Sequence, residues 1–156
     1  MPAQPIPEGY HTVTPYLAVD DAARAIAYYK EAFGAKEGVR MDGPNGMVAH
    51  AELEIGDSHV MLSDPFPQAS TKPPKELGGT SVSIMMYVED VDGVVKQAVD
   101  AGGTVLMEVA DQFWGDRLGT VQDPFGHSWS IGTHVEDLTP EEIAERAKAA
   151  MAEMGG

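Results

Sequence analysis

The stretch YLAVDDAARAIAYYKEAFGA, residues 16–35, decides the fold, because it joins the end of a strand to one complete helix. Ala22, Ile26, Tyr29 and Phe33 follow one another at spacings of four, three and four, which places them on a single helical face. Asp20 or Asp21 can cap the free N–H groups at the start, and Gly34 can end the helix in the left-handed region. Upstream, Thr12 to Val19 reads as a strand. Downstream, strands are expected at Glu37–Met41, Met47–Ile55 and Ser58–Ser63, divided by the turn signals DGPNG at 42–46 and Gly56-Asp57.

Residues 65–80 change character. Pro65, Pro67, Pro73 and Pro74, with serine, threonine and a Gly-Gly pair, predict an extended linker without helix or strand. The earlier order then returns. Ser81 to Val88 reads as a strand, Glu89-Asp90 as the cap of a helix carrying Val91, Val94, Val95 and Ala98, and Gly102-Gly103 as its stop. Strands are expected near Thr104–Val109, Leu118–Gln122 and Ser128–Gly132. Val19-Asp20-Asp21 and Val88-Glu89-Asp90 stand 69 residues apart, as do Gly34 and Gly103, so the chain reads as an internal duplication of a βαβββ unit. Thr139-Pro140-Glu141-Glu142 starts a last, alanine-rich helix with a thin apolar stripe of Ile143, Ala147 and Ala150. That stripe suits packing on the domain edge or on a second subunit.

Together with WGDRLGTVQDPFGHSWSIGTH at 114–134, the opening stretch resembles the vicinal oxygen chelate superfamily of glyoxalase, bleomycin-resistance and dioxygenase proteins, in particular its PhnB-like branch. The resemblance implies an α+β fold of paired βαβββ modules forming an open barrel-like cleft, plus a C-terminal helix. One domain then spans 1–156, with module one at about 10–64, the linker at 65–80, module two at about 81–135 and the helix at about 139–153. It also implies a homodimer and, in many members, a divalent metal held by four inward side chains. In this chain those positions fall on Thr14, Met61 (or Val60, one residue away), Ser83 and Ser130. None carries an imidazole or carboxylate, so no metal and no other cofactor is expected.

Strand parity gives a separate view of the cleft. Val13, Leu17 and Val19 should face the first helix, leaving Thr14, Tyr16 and Ala18 toward the cleft. In the second half Val82, Ile84, Met86 and Val88 should face the helix, leaving Ser83, Met85 and Tyr87. Met47, Ala49, Ala51, Leu53 and Ile55 make an apolar stripe, with His50, Glu52 and Glu54 on the opposite face. Leu118, Thr120 and Gln122 lie opposite Val121. With Met61 and Ser130, which the resemblance implies, the expected ligand-binding residues are Thr14, Tyr16, Met61, Ser83, Met85, Tyr87, Thr120, Gln122 and Ser130, with His50 and Glu52 as the candidate acid–base pair.

Trp114 and Arg117 have two readings. As ligand contacts, Trp114 stacks on a flat molecule and Arg117 holds an anionic group. As structure, Trp114 packs on the cleft wall while Asp116 and Arg117 pair within their loop. His11 and His59 have no partner at ligand spacing, His127 suits a backbone hydrogen bond, His134 suits a local one, and Trp129 suits the core.

Ten basic against 25 acidic residues give a net charge of −15, which repels nucleic acid and anionic membrane surfaces. No apolar run approaches the roughly 18 residues of a membrane span. No signal peptide is visible and cysteine is absent, so a cytoplasmic protein is expected. Three functions are compatible with these features. The leading one is a small-molecule-binding protein of the antibiotic-sequestering kind. Metal-independent chemistry with Glu52 or His50 as base is the second. A metal-dependent lyase or dioxygenase using displaced ligands such as His50 and Glu52 is the third.

Overall fold

β1 (Tyr16–Ala18) feeds α1 (Ala22–Phe33), and β2 (Lys36–Asp42), β3 (Val48–Ile55) and β4 (Ser58–Ser63) complete the first module. The computed structural model describes residues 2–155. The second module repeats the order with β5 (Ser83–Tyr87), α3 (Val91–Asp100), β6 (Thr104–Asp111), β7 (Asp116–Gln122) and β8 (Ser128–His134). Between them lies a single turn of helix, α2 (Pro74–Leu77), and α4 (Pro140–Met154) follows. The sheets are ordered β1-β4-β3-β2 and β5-β8-β7-β6, with β1–β4 and β5–β8 parallel. Tyr16 pairs with Met61 and Met85 with Ser130, so the 69-residue offset extends to strand register. Among the described residues no backbone pairing joins the two sheets, so the eight strands do not close into a barrel.

Asp21 accepts from the Arg24 N–H at the start of α1, and Asp90 does the same for Gly93 at α3. Gly34 closes α1 at φ 66°, in the left-handed region. Thr139 and Glu142 form a reciprocal capping box at α4. No residue of α4 is buried.

The inner faces of both sheets and the two helices share one core. Leu17, Ala51, Leu53 and Leu62 enter it from the first sheet, and Val121, Trp129 and Ile131 from the second. The modules are joined through α1. Tyr28 donates to the Ala98 carbonyl at 3.0 Å, and Tyr29 donates to the buried Asp123 at 2.5 Å. Trp129 lies 5.3 Å from the Tyr29 ring and 4.8 Å from that of Phe33, so α1 carries the core across the duplication.

Four local expectations are corrected. β1 starts at Tyr16 rather than Thr12, and Val13 is 83% exposed instead of facing the helix. Pro15 has no N–H to pair, and only its carbonyl meets the Met61 N–H. Val82, just ahead of β5, is likewise 65% exposed. In β3 it is Val48 that is fully buried, rather than its neighbours Met47 and Ala49. The β2–β3 register slips between Met41 and Asp42, and Asp64 accepts the Val48 N–H through its side chain while donating its own N–H to the Val48 carbonyl. Finally, the linker does hold a helical turn, begun at Pro74 and stopped at Gly78 with φ 78°. Proline at a first helical position and glycine after the last are compatible with helix, so proline density alone misjudges this segment.

Candidate functional site

On the outer face of the first sheet, four side chains form one hydrogen-bonded chain. The Tyr16 hydroxyl lies 2.9 Å from His50 Nδ1, and His50 Nε2 lies 3.1 Å from Glu52 Oε1. Glu52 Oε2 accepts from the hydroxyl of Tyr10, whose ring stacks on His59 with centroids 4.0 Å apart. The order of strands explains the assembly. His50 and Glu52 are alternate residues of β3, while Tyr16 on β1 crosses over β4 to meet them. The hydrogen bond from Tyr10, then that from His50, hold the Glu52 carboxyl below its usual range against the opposing effect of burial. Burial and the carboxylate push Tyr10 up to about 12.

Strand parity thus places Tyr16, His50 and Glu52 together. Tyr10 is outside the expected set. It lies 42 positions from Glu52 in an arm without helix or strand, and no periodicity reports on such a segment. The only available signal is chemical, since a half-buried carboxylate needs donors.

The second sheet's outer face is different in kind. Ser83 Oγ is 3.0 Å from Ser130 Oγ, and Thr120 Oγ1 is 3.4 Å from the latter. A second cluster surrounds Asp116, which is 3% exposed. It accepts from Tyr87 at 2.7 Å and from the Trp114 indole N–H at 3.1 Å, and His134 Nδ1 lies 2.8 Å away. Burial alone would raise the Asp116 carboxyl, but hydrogen bonds from His134, Tyr87 and Trp114 hold it below its usual value. His134 also meets Asp137 at 2.7 Å, and its pKa is raised by the hydrogen bonds to Asp116 and Asp137.

Asp116 and Arg117 therefore do not pair. Arg117 instead grips Asp92 with two nitrogens at 2.8 and 2.9 Å and touches Asp111 at 3.2 Å. The reason is parity, because adjacent residues on β7 project to opposite faces. His127 bonds the Ala18 carbonyl at 2.8 Å, His11 bonds the Asp57 carbonyl, and Trp129 is core.

Two clefts follow the seam between β1 and β5. One, of about 590 Å³, is lined by Val13, Tyr16, Val82, Ser83 and Met85 among others. The other, of about 730 Å³, takes Thr14, Met85, Tyr87, Phe33 and Trp129. A smaller hollow of about 410 Å³ under the N-terminal arm gathers Thr14, Glu52, Met61 and Tyr10. Gln122 stands apart, in a hollow beside α2 with Thr104 and Pro74.

The four positions at which the resemblance implies a metal do not fit one. Two seryl hydroxyls already bonded to each other, a threonine and a thioether offer neither charge nor imidazole. His50 and Glu52 have their facing atoms committed to each other and to two phenols. Among the described residues no group of three or more histidines and carboxylates is placed to hold an ion.

Comparison with known proteins agrees with this architecture. An uncharacterised protein of Mycobacterium bovis is 46% identical over 146 residues, covering 92% of this chain and 93% of the relative. TioX from Micromonospora sp. ML1 superposes with a TM-score of 0.63 at 25% identity, over 83% of this chain and all of that one. A PhnB protein from Bacillus cereus shares the fold at TM-score 0.62 and 18% identity, over 79% and 99% of the two chains. The family model matches residues 10–131, and the chain belongs to the Glyoxalase/Bleomycin resistance protein/Dioxygenase superfamily.

Proposed function

We propose that the protein binds a small, partly aromatic or amphipathic organic molecule along the β1–β5 seam, without the four-residue metal centre, as a cytoplasmic homodimer of the antibiotic-sequestering type. One observation carries the reading. The 590 Å³ cleft is walled by apolar side chains from both first strands, and Tyr16 and Met85 stay 46% and 43% exposed along it. Its size and mixed lining suit a compact organic ligand with few polar handles. Ser83, Ser130, Thr120 and Met61 complete the outer faces, and Tyr87 extends them toward Trp114 through the shared Asp116. A second copy would cover Val13, Val82 and Tyr87, large exposed residues on or beside these strands, and would give α4 a surface.

Acid–base catalysis with His50 and Glu52 is the second reading, favoured by their linkage to Tyr16. Fluorescence titration with aromatic antibiotics, quinone-like compounds, glutathione adducts and sugar phosphates tests the first. Saturable binding of the aromatic compounds, with light scattering at twice the 16.6 kDa chain mass, is the expected result. Binding confined to sugar phosphates would refute it, and turnover of any bound compound would promote the second reading.

A further inference from the structure

The hydrogen-bonded chain on the first sheet has a direction, and the direction selects the ligand. An ionised carboxylate only accepts hydrogen bonds. Glu52 already accepts from Tyr10, and its other oxygen faces His50 Nε2 at 3.1 Å, a contact that forms only if that nitrogen carries the hydrogen. While the ring carries a single hydrogen, that hydrogen is on Nε2 and the lone pair is on Nδ1. That atom lies 2.9 Å from the Tyr16 oxygen, so the single phenolic proton of Tyr16 points at His50. Tyr16 is half-exposed as a residue, and what its hydroxyl has left is lone pairs alone.

Apart from the exposed Thr71, the other polar groups lining this cleft have partners within the protein. Ser83 shares its hydroxyl with Ser130, His127 is bonded to the Ala18 carbonyl, Thr80 is bonded to Val82, and Lys72 is paired with Glu76. Resting on the small-molecule reading above, we infer that Tyr16 is a specificity-determining acceptor, so that the ligand presents a hydroxyl or N–H at this point. Phenols, aromatic alcohols and N–H heterocycles are the class admitted, while ethers and carbonyls of the same shape meet lone pair against lone pair. Glu52 and Tyr10 act as positioning residues that fix the His50 tautomer. Placing an acceptor opposite an acceptor leaves a desolvated group unpaired, and sites built this way discriminate strongly.

The probes are 2-naphthol and 2-methoxynaphthalene, which share a ring system and differ in the hydrogen. Wild-type protein should bind 2-naphthol at least tenfold more tightly. Tyr16→Phe should erase the difference, weakening the naphthol by removing its acceptor and strengthening the ether by removing the opposed lone pairs. His50→Leu frees the Tyr16 proton to turn outward, so ether affinity should rise toward that of the naphthol. The urea midpoint of each variant establishes that it is folded. Equal wild-type affinities, or a preference that survives Tyr16→Phe, overturn the inference while cleft binding stands. Failure of both probes to bind overturns the cleft reading itself and this inference with it.

Discussion

Tyr29→Phe should destabilise the whole chain, because the Tyr29 hydroxyl, alongside that of Tyr28, ties the first module's helix to the second module. Tyr29 is fully buried and donates at 2.5 Å to Asp123 Oδ2, which also accepts the Trp129 indole N–H at 2.9 Å. Asp123 Oδ1 meanwhile holds the backbone N–H groups of Phe125 and His127, both at 2.9 Å. Removing the hydroxyl leaves three donors on the carboxylate, so the loss is one hydrogen bond to a charged group, about 1.5–3 kcal/mol. With an m-value of about 1–3 kcal/mol per molar urea, the midpoint should fall by about 1 M. Asp123→Asn keeps an acceptor for the turn but sets an amide N–H2 against the Trp129 N–H, and should lose about 1–3 kcal/mol for that unpaired donor. When Tyr29→Phe is combined with Asp123→Asn it should matter less, since the hydroxyl then faces a neutral amide N–H2 in place of the carboxylate oxygen, and the shortfall is the coupling between the sites. Urea unfolding followed by far-ultraviolet circular dichroism measures all four proteins. A loss below about 0.5 kcal/mol for Tyr29→Phe, on this same scale of bond strength, would show that the modules do not depend on this bond.

Two further outcomes are expected. His134 lies between Asp116 and Asp137, which raise its pKa above the ordinary value of about 6.5; its stabilising contribution should be complete below that value and fade as pH rises through the folded-state pKa. Thermal midpoints between about pH 6 and about pH 9 should therefore drop more in wild type than in His134→Gln, and parallel curves would refute the assignment. Gly103→Ala should destabilise by about 1–3 kcal/mol in urea unfolding, because a Cβ there would come within 2.6 Å of the Tyr28 oxygen and 2.7 Å of Val121; an unchanged midpoint would refute the close packing of α1 on α3.

Element order, the caps Asp21, Asp90 and Thr139, and the helix face of Ala22, Ile26 and Tyr29 were legible because each is a local property of few residues. Gly34 and Gly103 show the boundary of such reading. They occupy matching places in the repeat, yet Gly34 supplies a left-handed turn with open space around it, while at Gly103 the constraint is contact with another helix. The same boundary runs through the site. Alternation put His50 and Glu52 on one face, but Tyr10 and the Arg117–Asp92 pair join segments 42 and 25 residues apart, which no period records.

The duplication also indicates where the functional difference lies. Equivalent inner-face positions stay apolar, with Leu62 on β4 matched by Ile131 on β8, because both must fill the same core. The outer faces carry no such demand and they differ. Tyr16, Met61 and Glu52 in the first half stand where Met85, Ser130 and Thr120 stand in the second. One face holds a charged, directed chain from Tyr10 to Tyr16, and the other a row of neutral hydroxyls that can turn to suit. A ligand lying along the seam would thus meet a fixed acceptor at Tyr16 and adaptable groups at Ser83 and Ser130. On that arrangement orientation is set by the first module, and tolerance for different substituents by the second.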